Sequence, residues 1–117
     1  MTYVDAFVVS VPKDKVESYR SMLSESAVLW KEFGALSYVE SVADDVPYGE
    51  LTSFPRAVQA KDDELVVLSW VTWPSREARD AGNKKVMSDP RMTALMEKLP
   101  VDGNRMIFGG FETMIEA

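Results

Sequence analysis

The chain has 117 residues, 46% hydrophobic and 27% charged, enough to bury one proper core and too short for two ordinary domains. Nineteen acidic against 13 basic residues give a net charge of −6. A phosphate backbone or an anionic bilayer is repelled on average, so neither nucleic acid nor membrane is an expected partner. Cysteine and histidine are both absent, which removes disulfides, thiolate nucleophiles, imidazole bases and Cys/His metal or haem sites; no metal and no cofactor are expected.

No apolar run approaches the roughly 20 residues that span a bilayer. The N-terminal "MTYVDAFVVS" lacks the basic region and cleavage site of a signal peptide. A cytoplasmic location is therefore the expectation.

Residues 2–11 read as the first strand, with Val4, Ala6, Val8 and Ser10 on one face and Tyr3, Asp5, Phe7, Val9 and Val11 on the other. Pro12 ends it, having no N–H to donate. Asp14 and Glu17 have the spacing of a capping box for a helix over 14–33, whose stripe is Val16, Tyr19, Leu23, Ala27, Trp30 and Phe33. Gly34 is its natural stop. A second strand covers 35–43, and a long connection runs from 44 to 64. Within it "AVQA" is predicted to pair with "LVVL" as a hairpin across the polar turn "KDDE". The next strand is "LVVLSWVTW", 65–73. Ser75 caps a helix over 75–88 with a narrow seam of Ala78, Ala81, Gly82, Lys85 and Val86. Asp89 and Pro90 open a short helix to about Lys98. Residues 100–105 are a turn and 105–116 the last strand, where two adjacent glycines signal a bulge or a close approach.

The order is β-α-β, a hairpin addition, then β-α-β, over a single domain of residues 1–117. It specifies an α+β, ferredoxin-like antiparallel sheet of four or five strands with helices on one face. The alternative is an open α/β sandwich of different strand order. The strands at 2–11, 65–73 and 105–116 are apolar on both faces, yet the helices suffice for one. A soluble monomer does not expose a patch of that size. A second copy, packed sheet against sheet about a two-fold axis, covers it most economically. The competing solution is the long loop folding over the sheet.

The segments "YVDAFVVSVPKD", "WKEFGALSYVE", "DDVP", "TSFPRAVQA", "SWVTWPSREARD", "MSDPRM" and "RMIFGGFE" resemble the YbaA-like family, a bacterial domain of unknown function in the dimeric α/β-barrel superfamily. The resemblance spans nearly the whole chain. It implies a ferredoxin-like protomer that pairs sheet to sheet into a barrel, and it assigns no reaction. Ala6 stands where the family usually has glycine and Tyr48 where it often has aspartate; the first narrows close approach at strand one, the second makes the long loop less acidic.

Asp5 and Glu112, each mid-strand among apolar neighbours, are the candidate catalytic carboxylates. A charge in a sheet interior needs a partner or a proton, and an arginine partner would make either one structural. Parity and the adjacency of first and last strands place the two on one sheet face, with Ser69 on the neighbouring strand able to join them. Arg56, Arg76, Arg79, Arg91 and Arg105 are the candidate partners, and Arg56 or Arg105 reaching the pair would make it structural. Arg76 and Arg79, three apart at the start of a helix, share a face and are candidate ligand-binding residues for an anion, as are Arg56 in "TSFPRA" and Ser69; the competing role is solvated or paired with Asp80. Trp30, Trp70 and Trp73 are core or interface aromatics.

Three functions compete. The first is a homodimer binding a small molecule in a pocket of the barrel. The second is a cofactor-independent, monooxygenase- or isomerase-like enzyme resting on Asp5, Glu40, Glu112, Tyr, Lys or Arg, which a polar cluster inside a pocket would favour. The third is a dimeric interaction scaffold.

Overall fold

The computed structural model describes residues 1–117. Four strands, β1 (Tyr3–Pro12), β2 (Ser37–Val42), β3 (Glu64–Trp73) and β4 (Ile107–Glu112), form one sheet in the order β2-β3-β1-β4, every pair antiparallel. This is the α+β, ferredoxin-like arrangement, with the first and last strands side by side. Four helices accompany it: α1 (Val16–Glu32), α2 (Phe54–Ala57), α3 (Arg76–Ser88) and α4 (Pro90–Met96).

Register fixes which side chains share a face. Tyr3, Asp5, Phe7, Val9 and Val11 lie opposite Trp73, Val71, Ser69, Val67 and Leu65, and this side receives the helices. Val9, Val11, Val67, Val71 and Trp73 join Tyr19, Leu23, Leu29 and Trp30 of α1, Val86 of α3 and Met92 and Leu95 of α4 in the main core. Trp73 is fully buried, its ring edge-on to Trp30 with centroids 6.1 Å apart. The small-residue seam on α3 has a purpose here: a Cβ on Gly82 would collide with the Trp73 ring and lie 2.6 Å from the Phe33 carbonyl oxygen. Gly34, at φ +108°, stops α1 as its sequence position suggested. Ser75 caps α3 by accepting from the Ala78 N–H at 3.1 Å, and Asp89 caps α4 by accepting from the Arg91 N–H at 2.9 Å.

Four expectations are corrected. The Asp14/Glu17 capping box does not form: residues 13–15 make a tight 3-10 turn and α1 begins at Val16 without a side-chain cap. "AVQA" does not pair with "LVVL". Ser53 accepts from the Arg56 N–H and Pro55 presets the first turn, so 54–57 becomes α2, and Gln59 at φ 50° breaks any extended run. The sheet therefore has four strands. The last strand covers only Ile107–Glu112: Glu112 lies opposite Tyr3, where β1 begins, and past it only the Thr113 N–H still bonds back, to the Thr2 carbonyl. Finally, the second sheet face is not bare throughout: Val58, fully buried, closes a small second cluster with Val8 and Val66 at one end.

The rest of that face stays open. It carries Val4, Ala6, Leu68, Trp70 and Val39, half-buried, and Ile107 and Phe111, exposed.

Arg105 secures the covered end. Its guanidinium donates to the Gln59 carbonyl at 2.9 Å, to Ser10 Oγ at 3.2 Å and to both oxygens of Glu64 at 2.8 and 2.9 Å. The Arg105 guanidinium holds the Glu64 carboxyl at about 2, against an ordinary 4.5. A depressed pKa stabilises the fold above the unfolded value and loses that contribution as pH falls toward the folded one. Glu64→Gln is expected to be less stable than the parent at pH 6, and the two are expected to converge between pH 4.5 and about 2; urea titrations across that range check it.

Candidate functional site

Alternation along β2 turns Tyr38, Glu40 and Val42 to the helix side, opposite Val71, Ser69 and Val67 of β3. On α1, Val16, Tyr19, Arg20, Leu23 and Ser24 recur at helical spacing and face them. Between the two elements lies a half-open cleft of about 250 Å³, lined by those α1 residues with Glu40, Val42 and Val67. Its body is apolar.

Glu40 is the polar centre of the cleft. Tyr38 donates a short hydrogen bond to its Oε2, and Tyr19 donates to its Oε1 at 3.4 Å. Ser69, buried, lies directly across the ladder from Glu40. Ser26 Oγ donates to the Leu23 carbonyl at 2.8 Å and lies 3.1 Å from the Tyr38 hydroxyl, completing the chain. Burial pushes the Glu40 carboxyl above its ordinary range, and the hydrogen bonds from Tyr38 and Tyr19 offset part of that rise. Tyr38 and Tyr19 are both held well above the ordinary phenol value, first by burial and then by the charge on Glu40. No cation pairs with Glu40. Arg20, at the cleft, meets only Glu17 at 3.7 Å, both exposed.

Asp5 has a different environment. It is 5% exposed. The Trp73 indole N–H donates to its Oδ2 at 3.0 Å, and Arg79 grips it through Nε at 3.0 and 3.1 Å and Nη2 at 2.8 Å. Arg79 also bonds Asp80 at 2.9 Å and lies 5.1 Å from the Tyr3 ring centroid. The arginine at Asp5 is thus Arg79; Arg105 is committed to Glu64 and Asp102, and Arg56 lies elsewhere. Gly110 of the β4 glycine pair leaves room for this, since a Cβ there would stand 2.5 Å from the Tyr3 hydroxyl and 2.8 Å from Arg79, whereas one on Gly109 would meet nothing closer than 3.7 Å.

The other residues singled out in the sequence do not converge. Glu112 shares the Asp5 face but is exposed and two positions along β4 from Asp5's partner Gly110. Ser69 lies across the ladder from Glu40 rather than joining Asp5. Arg76 is exposed, 3.8 Å from Asp80. Arg56 stacks on the Tyr48 ring at 4.1 Å and donates to the Tyr48 and Gly49 carbonyls, ordering the long loop. No three carboxylates gather as a cation site, and no helix is long and apolar enough to cross a membrane. The Tyr38–Glu40 pairing was open to sequence reasoning through its spacing of two in a strand; Tyr19 joins it only once α1 is docked.

The fold and cleft define a protein of the ferredoxin-like α+β class. A NIPSNAP family protein from Agrobacterium tumefaciens matches with TM-score 0.63 at 14% identity, over 97% of this chain and 94% of that one. A dimeric ferredoxin-like protein from an uncultured marine organism matches at 0.61 and 10% identity, over 100% of both chains. A point mutant of SnoaB, a cofactor-independent oxygenase from Streptomyces nogalater, matches at 0.52 and 14% identity, over 98% and 93%. Residues 2–103 match the family described as Protein of unknown function (DUF1428), and the chain belongs to that family. It is 56% identical over 116 residues to the uncharacterized protein YbaA of Escherichia coli K12, covering 99% of each.

Asp5→Asn leaves the Arg79 guanidinium without its carboxylate. Removing one partner of a buried pair costs about 3–5 kcal/mol. Arg79 keeps Asp80 and is 22% exposed, so the loss expected in a urea titration at pH 7 is at the lower end of that range.

Proposed function

We propose that the protein is a cytoplasmic homodimer, its single domain of residues 1–117 paired sheet to sheet, that binds a small, largely apolar molecule in the α1/β2 cleft of each copy. The observation that carries the ligand reading is Glu40, a half-buried carboxylate held by two phenols and open to an apolar cleft of about 250 Å³. Burying a polar cluster in a cleft costs stability, and ligand sites combine an apolar wall with a few convergent polar groups in this way. The Val16, Leu23, Val42 and Val67 walls suit the apolar body, and Glu40 with its phenols suits one polar group on the ligand.

Small molecules extracted from the natively purified protein and profiled by mass spectrometry test this. Ser24 is exposed at the cleft, so Ser24→Trp should block the opening without disturbing the core. A compound enriched on the parent and depleted on the variant is the expected result. Equal recovery from both would remove the cleft as its binding place.

The dimer reading rests on the open sheet face, where Val4, Ala6, Val39, Leu68, Trp70, Ile107 and Phe111 form an apolar surface interrupted only by small or hydroxyl residues. The dimeric neighbour of the same fold is consistent with it. Light scattering at micromolar concentration is expected to give twice 13.1 kDa, and Trp70→Glu is expected to return the monomer mass.

A further inference from the structure

We propose that the α1/β2 cleft is a proton-transfer site for neutral carbonyl compounds carrying an acidic α-hydrogen, with Glu40 as the base, Tyr19 as the donor to the oxygen that gains charge, and Tyr38 holding Glu40 in place. This role presupposes that the cleft is a ligand site.

Asp5, Glu64 and Glu40 are each withdrawn from solvent. Asp5 is neutralised by Arg79 and Glu64 by Arg105. A carboxylate so paired is a poor base, because taking up a proton forfeits the ion pair. Glu40 has only hydroxyl partners, at Tyr19 and Tyr38. Protonating it breaks no ion pair and relieves the cost of a partly buried charge. Desolvation accordingly raises its affinity for a proton.

The substrate class follows from the surroundings. The carboxylate is itself anionic and the chain carries net charge −6, which disfavours an anionic substrate beside Glu40. The apolar walls favour a hydrocarbon body. A ketone meets both conditions and offers an oxygen that needs hydrogen-bond donors only as it gains charge.

In the step, the α C–H bond of the ketone breaks and its proton passes to a Glu40 oxygen. The C–H electron pair becomes the new carbon–carbon double bond, and the carbonyl π pair moves onto oxygen, giving an enolate. Glu40, now neutral, no longer needs both phenols. Tyr19, which lines the cleft, can redirect its O–H bond to the enolate oxygen, while Tyr38 stays on Glu40 and holds it in place. Return of the proton to the same carbon exchanges it with solvent, and return to a conjugated carbon moves a double bond. Charge and atoms balance within the substrate and Glu40. The Ser26 contact to Tyr38 makes Ser26 a positioning residue for that phenol.

The test uses 2-tetralone as probe, in deuterated buffer, with loss of its α-hydrogen signal followed by proton NMR and binding followed by backbone amide shifts. Glu40→Gln should fold at least as well as the parent, since it removes a buried charge. A positioned general base is worth about 10²–10⁴-fold, so exchange by the parent should exceed that by Glu40→Gln at least about 100-fold. Glu40→Asp, which retains a carboxylate set back by one methylene, should fall between them. Tyr19→Phe should still bind the probe and exchange it more slowly. If cleft amides shift alike in parent and Glu40→Gln while exchange rates are equal, the proton-transfer proposal is overturned and the binding reading stands. If no amide of α1 or β2 shifts at saturating probe, the ketone-binding cleft is overturned with it.

Discussion

The bond from the Trp73 indole to Asp5, with Arg79 closing on the same carboxylate, is the constraint on which the rest of the molecule depends. A charge 5% exposed in the middle of β1 is tolerable only if fully partnered. Satisfying it fixes three elements at once: β1 through Asp5, β3 through Trp73 and α3 through Arg79. Trp73, so oriented, sets its edge against Trp30 and thereby seats α1. Gly82 and Gly110 are the space this arrangement requires, one beneath the indole and the other beside the guanidinium. The position of α1 in turn determines the width of the cleft it shares with β2.

Two acidic side chains on the same side of one sheet therefore have opposite fates. Asp5 lies under α3, whose first turns bring a guanidinium to it, and it becomes a structural fixture. Glu40 lies under α1, which presents Tyr19, Leu23 and Ser26 and no cation within ion-pair reach. The difference comes from the helices above the sheet, not from the strands. Polar groups that stay bonded yet uncompensated in charge are expensive to keep, and such groups concentrate where a protein does chemistry.

Much of the fold was legible in the chain. Two-faced alternation marked the central strands, Ser75 and Asp89 marked helix starts, and Gly34 marked a helix end, because each of these is a local effect. Local signals failed where two competed. In 53–60 the apolar alternation of "AVQA" pointed to a strand, while Ser53 and Pro55 pointed to a helix turn, and the capping hydrogen bond prevailed. Asp14 and Glu17 had the spacing of a cap but Pro12 and the 3-10 turn left no room for it. The burial of Asp5 was readable from its neighbours in β1; its partner was not, since Arg56, Arg79 and Arg105 are equally plausible until α3 is placed. Likewise Glu40 and Tyr38 share a face by parity alone, whereas Tyr19 reaches them only through the docking of α1.

The sheet order also dictates when the molecule can be completed. β1 is an inner strand, but both its neighbours come later in the chain: β3 begins at Glu64 and β4 at Ile107. β1 must therefore wait with both edges unpaired until β3 follows at Glu64, and with one edge unpaired until β4 follows at Ile107. Such long-range pairing slows folding and leaves strand edges unprotected meanwhile. The closing event joins the two ends of the chain, where Thr113 N–H donates to the Thr2 carbonyl at 3.0 Å and the two hydroxyls meet at 2.7 Å. β1, the earliest of the four strands in the chain, is thus completed only by the latest.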